Sequence, residues 1–421
     1  MTAGSLRCVL ATSRLLSRQA IVSYQLITSD DDLLELCDSL ASAEMIAFDT
    51  EFVSEDRYEP ELCLLQVASG GKNYIIDTLR VEDATPFWEQ LVSGDQVTLV
   101  HSGREEFRFC LSAVGSCPGN WFDVQLAAGM VGLEYPAAYG TLCSRLLKVS
   151  LGKGETRTDW RRRPLSQQQL DYAVQDVLHQ DNLYRELTSR LDRLDRRDWF
   201  DQEMSDWLAL QQSLLTGERW RSVSGIGSFP ARSLAIAREL WHWRDDLARS
   251  TNKLTRRILR DDLLAELARR QQGDLNRIRS IRGMHHRHLQ PHLPAIAAAI
   301  QRGLDVPEED CPQPPLSTSI RQRSSLCQFL AAALNAHCRK AQMAPNLVAS
   351  MQNIRELVAL RLDDLSLQDG EPPKLARGWR KELAGDLLEG VLVGNIAVQV
   401  ENPRAEHPLA LRATGDSSAG D

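Results

Sequence analysis

Acidic side chains recur in this chain at spacings that suit metal-assisted hydrolysis. Asp49 and Glu51 occupy positions i and i+2 of the apolar run MIAFDTEF, so on a strand both carboxylates point to the same side. Two ionised carboxylates are costly to bury. A divalent cation such as Mg²⁺ or Mn²⁺ removes that cost, because these ions prefer hard oxygen ligands. Taken alone, the pair is equally compatible with a strand end exposed to solvent.

A tyrosine and a third acid lie one helical turn apart in SQQQLDYAVQDVLHQDNLY (166–184). Ser166 and Gln169 predict a capping-box start for this helix. Tyr172 and Asp176 fall on one side of it. The nearly opposite side carries an apolar stripe of Leu170, Val174, Val177 and Tyr184. The hydroxyl and the carboxylate could together hold a metal ion and the water beside it.

Two further acids, Glu105 and Glu106, follow the apolar run VTLVHS (97–102). Acids are common in a first helical turn because they complement the helix dipole, so this pair alone indicates little. The order is what points to a single site: two acids on a strand, an acid at the start of a helix, then a tyrosine and an acid on a later helix.

These residues must be positioned by an α/β domain that begins near residue 23. The pattern predicts strands at 45–52, 62–68, 73–77 and 97–102. It predicts a Gly- and Arg-rich loop over 149–165 and a closing helix over about 190–215. Shorter helices are predicted at 31–41, 84–93, 104–113, 123–131 and 139–148.

The remainder of the chain is predicted to form helical units joined by linkers. Residues 216–231 contain three glycines, three serines and a proline and read as a first linker. A helical domain follows over 232–303, and residues 304–318 form a Pro-rich second linker. Residues 319–400 are helical again, and 401–421 are predicted to be a disordered tail.

Composition and charge limit the functions that this chain can have. The chain has 421 residues, of which 43% are hydrophobic and 25% charged, and it has no apolar run of the roughly 18 residues that span a bilayer. Its nine cysteines lack any C-x-x-C spacing and predict free thiols in a reducing, cytoplasmic compartment. Residues 1–22 have three arginines and no acid, which fits a transit peptide, a disordered extension or a misplaced start.

Positive charge is concentrated in the first helical unit. Residues 232–302 hold 15 Lys and Arg against seven Asp and Glu, a local charge of +8, although the whole chain carries −8. A basic module attached to an acidic one fits a polyanion-binding domain beside a metal-binding domain. A solvated helical surface accounts for the charge equally well.

Four segments together resemble a known family. DTEF (49–52), HSGREEF (101–107), DWRRRPLS (159–166) and YAVQD (172–176) are similar to motifs of the ribonuclease D group of DEDD-type 3′→5′ exonucleases, in the version with tyrosine in the third motif. EDRYEPELCLLQ (55–66) is similar to the first motif region. Residues 232–303 resemble an HRDC domain, a small helical module that binds nucleic acid. GWRKELAGDLL (378–388) looks like the end of a second one.

The resemblance implies an RNase H-like α/β exonuclease domain followed by two all-α HRDC-type domains. It implies two divalent ions, Mg²⁺ or Mn²⁺, with Asp49, Glu51 and Asp176 as ligands and the scissile phosphate between the ions. Tyr172 would orient the attacking water, since a phenol with a pKa near ~10 suits hydrogen bonding better than proton abstraction.

Glu106 departs from the family pattern, which has Asp at this position. The extra methylene moves the carboxylate outward, and a catalytic site tolerates only about 0.5 Å of error. Glu106 is therefore expected to be a metal ligand that binds directly or after a backbone adjustment. A preference for Mn²⁺, a reduced activity, or a loss of activity would each follow from this difference.

Two sets of basic residues are predicted to contact phosphates. The first set precedes the catalytic helix and consists of Arg157, Arg161, Arg162 and Arg163; salt bridges to nearby acids are the alternative. The second set has the i, i+3, i+4, i+7 spacing of one helix face and consists of Lys253, Arg256, Arg257 and Arg260. The group His285, His286 and His288 is expected to lie on the surface, because no acid or cysteine is nearby in sequence.

The resulting hypothesis is a cytoplasmic, monomeric, metal-dependent 3′→5′ exoribonuclease that trims structured RNA such as tRNA precursors and has no membrane partner. One alternative is a non-catalytic RNA-binding protein that lost its second metal through Glu106. Another is an exonuclease with the same chemistry that acts on DNA.

Overall fold

The computed structural model describes residues 23–152, 158–314, 324–362 and 372–414. Arg157 and the predicted extension 1–22 lie outside these residues. Within these ranges no helix is both long enough and apolar enough to cross a bilayer. Eight of the nine cysteines also fall within these ranges, and all eight are free thiols.

A mixed six-stranded sheet forms the centre of the first domain. Its strand order is β1-β4-β3-β2-β5-β6, so the strand with Asp49 and Glu51 is internal. It pairs with β3 in antiparallel and with β5 in parallel orientation. The strands are β1 (Gln25–Ile27), β2 (Met45–Val53), β3 (Glu61–Ser69), β4 (Lys72–Ile76), β5 (Val97–Val100) and β6 (Trp121–Asp123). The four predicted strands are thus confirmed.

Helices flank this sheet on both faces. They are α1 (Asp30–Leu40), α2 (Thr85–Ser93), α3 (Arg104–Val114), α4 (Val124–Met130), α5 (Tyr139–Leu142), α6 (Gln167–Leu178), α7 (Gln180–Arg193) and α8 (Arg197–Thr216). The continuous helix predicted over 166–184 ends at Leu178, because the backbone N–H of His179 donates instead to the Tyr139 hydroxyl at 3.0 Å. The single closing helix over 190–215 was also wrong, since Asp195, at φ +54°, separates α7 from α8.

The first C-terminal unit has a hydrophobic core of its own. Its helices are α9 (Ala231–Ser250), α10 (Thr255–Ile258), α11 (Asp261–Arg270), α12 (Leu275–Arg279) and α13 (Leu293–Asp305). The prediction that residues 216–231 are only a linker was wrong, because four of them are buried in this core: Trp220, Val223, Ile226 and Phe229. Glycine and serine dominate that stretch by count, but its apolar residues determine where it packs.

The second C-terminal unit shares the core of the sheet domain. It contains α14 (Ser324–Lys340), α15 (Pro345–Val348), α16 (Met351–Arg361), α17 (Gly378–Arg380), α18 (Asp386–Leu392), β7 (Ile396–Val400) and β8 (Leu409–Ala413). The all-α prediction and the disordered-tail prediction were therefore wrong for 396–413, where β7 and β8 form an antiparallel hairpin. Val398 and Leu411 pack this hairpin against the common core.

Candidate active site

Strand β2 presents Asp49 and Glu51 on one face of the sheet. Asp49 lies opposite Gln66 and Glu51 opposite Leu64 on β3. Residues that face each other across two strands project from the same side, and α6 covers this side through Ala173 and Val174. The alternation predicted from the sequence therefore holds, and it directs both carboxylates toward the helix that carries Asp176.

Helix α3 supplies Glu106, whose side chain is only 5% exposed. The hydroxyl of Thr50 on β2 donates a hydrogen bond of 2.5 Å to Oε1 of Glu106. The longer glutamate thus reaches a buried hydrogen-bond donor on the strand between Asp49 and Glu51. The carboxylate of Glu105 lies 3.7 Å from the guanidinium of Arg108.

Asp123 at the end of β6 fixes the turn that begins α3. Its carboxylate accepts hydrogen bonds from the backbone N–H groups of Ser102 and Gly103 at 3.0 and 3.1 Å. It also caps α4 through the N–H of Gln125 at 2.8 Å. Since Glu106 lies on the first turn after this loop, Asp123 helps to set where that carboxylate lies, a role that the sequence did not indicate.

Helix α6 supplies Tyr172 and Asp176. The predicted capping box between Ser166 and Gln169 is present and fixes the start of this helix. Apolar residues on the inner side bury it against the sheet, with Val174 and Val177 each 1% exposed. The ring of Tyr172 lies 6.2 Å from that of Trp160.

The four carboxylates of Asp49, Glu51, Glu106 and Asp176, here named the acid cluster, perturb one another. Burial, followed by the charges of Glu106 and Asp176, raises the pKa of Asp49 well above its usual range. Burial, with the charge of Asp176, raises the pKa of Glu51 to about 8. Burial likewise raises the pKa values of Glu106 and Asp176 to about 7. The structure therefore brings the four predicted acids into one electrostatic group.

Tyr172 borders this group and remains a neutral phenol. Burial, followed by the negative charge of Asp176, raises the pKa of Tyr172 above its ordinary value. Interaction with the Tyr172 hydroxyl in turn favours the ionised form of Asp176. A phenol in this setting acts as a hydrogen-bonding group at neutral pH and not as a base.

No lysine, arginine or histidine among the described residues forms an ion pair with any member of the acid cluster. Among the same residues, no group of three or more His, Cys, Asp or Glu side chains has the geometry of a preformed metal site. Carboxylates crowded without a cation repel one another or bind protons. The donors nonetheless fit a divalent cation chemically, since all are hard oxygen ligands whose charge is otherwise uncompensated.

The arginines before α6 are mostly occupied by protein contacts. Arg163 donates to both oxygens of Asp77 at 2.6 Å and to the backbone oxygen of Cys63 at 3.0 Å. The prediction that Arg163 contacts phosphate was therefore wrong, because a buried carboxylate already engages its guanidinium. Arg161 pairs with Asp56 and Asp159 at 3.3 and 3.2 Å. Arg162 is exposed, and its side chain forms no ion pair within the described ranges.

The second basic set does not lie along one helix as predicted. Helix α9 ends at Ser250, and Asn252 takes a left-handed conformation with φ +47°. Arg256 and Arg257 belong to the short α10, whereas Arg260 precedes α11 and pairs with Asp262 at 2.6 Å. All four residues of the set, Lys253, Arg256, Arg257 and Arg260, are exposed. Phosphate contact by these residues remains a prediction, but the single helix face that first suggested it is not present in the structure.

The histidine group lies on the surface of the first C-terminal unit. His285, His286 and His288 are exposed. Their rings stack on one another, with successive centroids 4.9 and 5.9 Å apart.

A contact between the sheet domain and the first C-terminal unit was not foreseen. The hydroxyl of Tyr58 lies 2.9 Å from both carboxylate oxygens of Asp245 on α9. Asn252 accepts hydrogen bonds from the backbone N–H groups of Tyr58 and Glu59, each at 3.1 Å. These contacts fasten the β2–β3 loop, which follows Glu51, to the first C-terminal unit.

Two polar residues adjacent to the acid cluster were also missed, although each lies inside a recognised motif. Thr50 stands between the two acids of DTEF, and Gln66 ends the segment EDRYEPELCLLQ. The signal for Gln66 was available, because an amide within the otherwise apolar run LCLLQVA interrupts a buried strand. The face of the sheet from which the Gln66 side chain projects could be determined only once the strand register was known.

Comparison with known proteins links this geometry to a family. A family model for 3′→5′ exonucleases matches residues 24–192, and an HRDC domain model matches residues 233–300. A curated ribonuclease D from Granulibacter bethesdensis is 31% identical over 91% of this chain and 96% of its own length. One from Pseudomonas paraeruginosa is 31% identical over 87% and 97%. The crystal structure of Escherichia coli RNase D, an exoribonuclease involved in structured RNA processing, superposes with a TM-score of 0.76 at 25% identity, covering 88% of this chain and 99% of that one.

Proposed function

We propose a metal-dependent mechanism for this chain, which belongs to the ribonuclease D family and is a 3′→5′ exoribonuclease. In this proposal, the acid cluster holds two divalent cations, Mg²⁺ or Mn²⁺. When bound, these cations would act as Lewis acids on the scissile phosphate and lower the pKa of a bound water.

The observation that carries the proposal is the uncompensated charge of the acid cluster. Burial raises the pKa values of all four carboxyls, and the charges of neighbouring acids in the cluster raise those of Asp49 and Glu51 further. Within the described ranges, none of the four has a basic side-chain partner. Carboxylates held close together without a positively charged partner are unfavourable for folding when they are ionised. Their retention in one group is accounted for by a ligand with positive charge.

The remaining steps are assigned to individual residues of the chain. Asp49 and Glu51 project together from β2, and Asp176 faces them from α6. Thr50 holds Glu106 in place through its hydroxyl. The phenol of Tyr172 keeps its proton, so it can orient the attacking water by a hydrogen bond without acting as the base.

The substrate class is proposed to be structured RNA with a 3′ extension, with tRNA precursors as the expected case. The Escherichia coli relative acts in structured RNA processing, and the basic HRDC domain of this chain supplies charge for a polyanion. We propose that the protein works as a monomer in the cytoplasm, in keeping with its free thiols. Residues 319–400 as a second HRDC-like domain remain a prediction.

The experiment is an end-trimming assay on the full chain. A 5′-labelled RNA hairpin with a single-stranded 3′ tail is incubated with Mg²⁺ or Mn²⁺, and products are resolved by length. We expect a ladder that shortens from the 3′ end, release of mononucleotides, and complete loss of activity with EDTA. Asp49→Asn removes a ligand at constant side-chain size and is expected to abolish the ladder.

Several results would contradict the proposal. Trimming by Asp49→Asn at the wild-type rate would exclude the acid cluster as the site. Faster degradation of a matched DNA strand would show that the substrate class is wrong. Activity that appears only after Glu106→Asp would show that Glu106 is a defect of this chain and not a working ligand.

A further inference from the structure

Gln66 is a fully buried amide without a hydrogen-bond partner. Its relative exposure is 0%, and both Nε2 and Oε1 lack a partner in the described structure. It lies on β3, between β2 and β4, where most other side chains are apolar. An unsatisfied amide in such a position is unfavourable relative to an apolar residue of the same shape.

The register places this amide beside the acid cluster. Gln66 is directly opposite Asp49 on β2 and opposite Ile75 on β4. The three side chains therefore form one row across the same face of the sheet. Helix α6, which carries Asp176, covers this face, where its Ala173 and Val174 pack with Ile75.

The amide has the chemistry that an ionised Asp49 requires. Asp49 lies directly opposite Gln66 in the pairing of β2 with β3. A carboxylate that binds a cation through one oxygen is normally oriented by a hydrogen bond to a neighbouring polar group. Gln66 offers an N–H donor from the adjacent strand, and the described residues provide no competing acceptor for it.

We propose that Gln66 is a positioning residue for Asp49, whose carboxylate accepts a hydrogen bond from Nε2 when the acid cluster binds divalent cations. This inference rests on the proposed function, since it concerns the same cation site. It explains why a buried strand keeps an unsatisfied amide. Gln66 itself is not a metal ligand in this proposal.

The test compares the stability of the metal-free protein with its affinity for Mn²⁺. Gln66→Met keeps the length of the side chain and removes the amide. We expect the metal-free melting temperature to be unchanged or raised by about 2 °C, because an unsatisfied group is lost. We expect the Mn²⁺ affinity measured by calorimetry to fall by roughly 10-fold to 100-fold, as for other groups that orient metal ligands.

Thr98→Val is the matched control. Thr98 is also on a buried strand, is 0% exposed and has an unpartnered hydroxyl. It lies opposite Ile46, which projects from the face of β2 opposite to that of Asp49. Thr98→Val is therefore expected to leave Mn²⁺ affinity unchanged, and an equal loss of affinity in both variants would contradict the inference.

A lower metal-free melting temperature with unchanged Mn²⁺ affinity in Gln66→Met would show that Gln66 serves the fold only. If Gln66→Met does not fold, Gln66→Leu removes the same amide and is subject to the same criteria. These outcomes differ from a failure of the proposed function, in which the wild-type protein itself binds no Mn²⁺.

Discussion

Glu203 and the acid cluster have opposite electrostatic surroundings. Glu203, on α8, is 7% exposed and forms a two-pronged ion pair with Arg380 of the second C-terminal unit, in which one of the contacts is 2.8 Å. The indole N–H of Trp379 donates to it as well, at 3.0 Å. In the acid cluster, Glu106 is buried and the other three acids are half-buried. Among the described residues, no basic side chain forms an ion pair with any of the four.

The difference separates structural acids from functional ones. A buried carboxylate paired with arginine has its charge compensated within the chain, and its role is to join two units. The acids of the acid cluster have no such partner among the described residues, and in the proposed mechanism divalent cations compensate their charge. We therefore expect Glu203 to contribute to stability and not to activity, and the acid cluster to contribute to activity at a cost in stability.

The largest expected effect is on activity, from removal of one charge in the acid cluster. Asp176→Asn should lower the trimming rate by about 10⁴-fold, because several kcal/mol of charge stabilisation depend on the bound ions. The same variant should melt at a higher temperature than wild type without metal, because one repelling charge is gone. A variant that loses stability along with activity would contradict the expectation that this charge destabilises the metal-free fold.

The next effect is on stability, from the paired group. Arg380→Met leaves Glu203 buried without a positively charged partner and should lower the free energy of unfolding by about 3–5 kcal/mol, measured by chemical denaturation. Adding Glu203→Gln to this variant should recover part of the loss, since the uncompensated charge is removed. Destabilisation that the second substitution does not relieve would argue against charge as the cause.

Tyr172→Phe should have a smaller effect on the rate. Loss of the hydroxyl removes one positioned hydrogen bond, which is expected to reduce kcat by roughly 10²-fold. Mn²⁺ affinity measured by calorimetry should stay at the wild-type value, because the phenol is not a ligand in this account. A parallel loss of Mn²⁺ affinity would make Tyr172 part of the metal site.

The smallest effect is a pH dependence of stability in metal-free protein. Glu51 and Asp176 have pKa values raised to about 8 and about 7, above the ordinary values of 4.5 and 3.8. The folded state then binds protons more tightly than the unfolded state, so the free energy of unfolding falls as pH rises from about 5 to about 8.

The free energy of unfolding should fall steadily across this window as Glu51 and Asp176 lose their protons in the folded state. Denaturant melts at several pH values measure it, and Glu51→Gln should flatten the slope. Stability that instead increases over this range would show that the folded state does not favour the protonated forms of these acids. Saturating Mn²⁺ should reverse the slope, because the cations compete with protons for the same oxygens.

The core of the candidate site could be predicted because its signals are local. Alternation along β2 determines the side on which Asp49 and Glu51 lie. Helical spacing determines the side of Tyr172 and Asp176, and the capping box marks where their helix begins. Each of these rules requires only a few neighbouring residues.

What failed depends on contacts between distant residues. Arg163 looks like its neighbours in sequence, but only the fold brings Asp77 to it. The basic residues after α9 have helical spacing, but Asn252 ends that helix and its side chain binds the β2–β3 loop. The hairpin at 396–413 forms because Val398 and Leu411 find a core supplied by other elements.

Calorimetric titration of metal-free protein with Mn²⁺ at pH 8 tests the central claim most directly. We expect two ions per chain for wild type and the loss of at least one in Asp49→Asn, with Arg162→Gln unchanged as a control for surface charge. Absence of Mn²⁺ binding by the wild-type protein, or binding that Asp49→Asn does not alter, would contradict it.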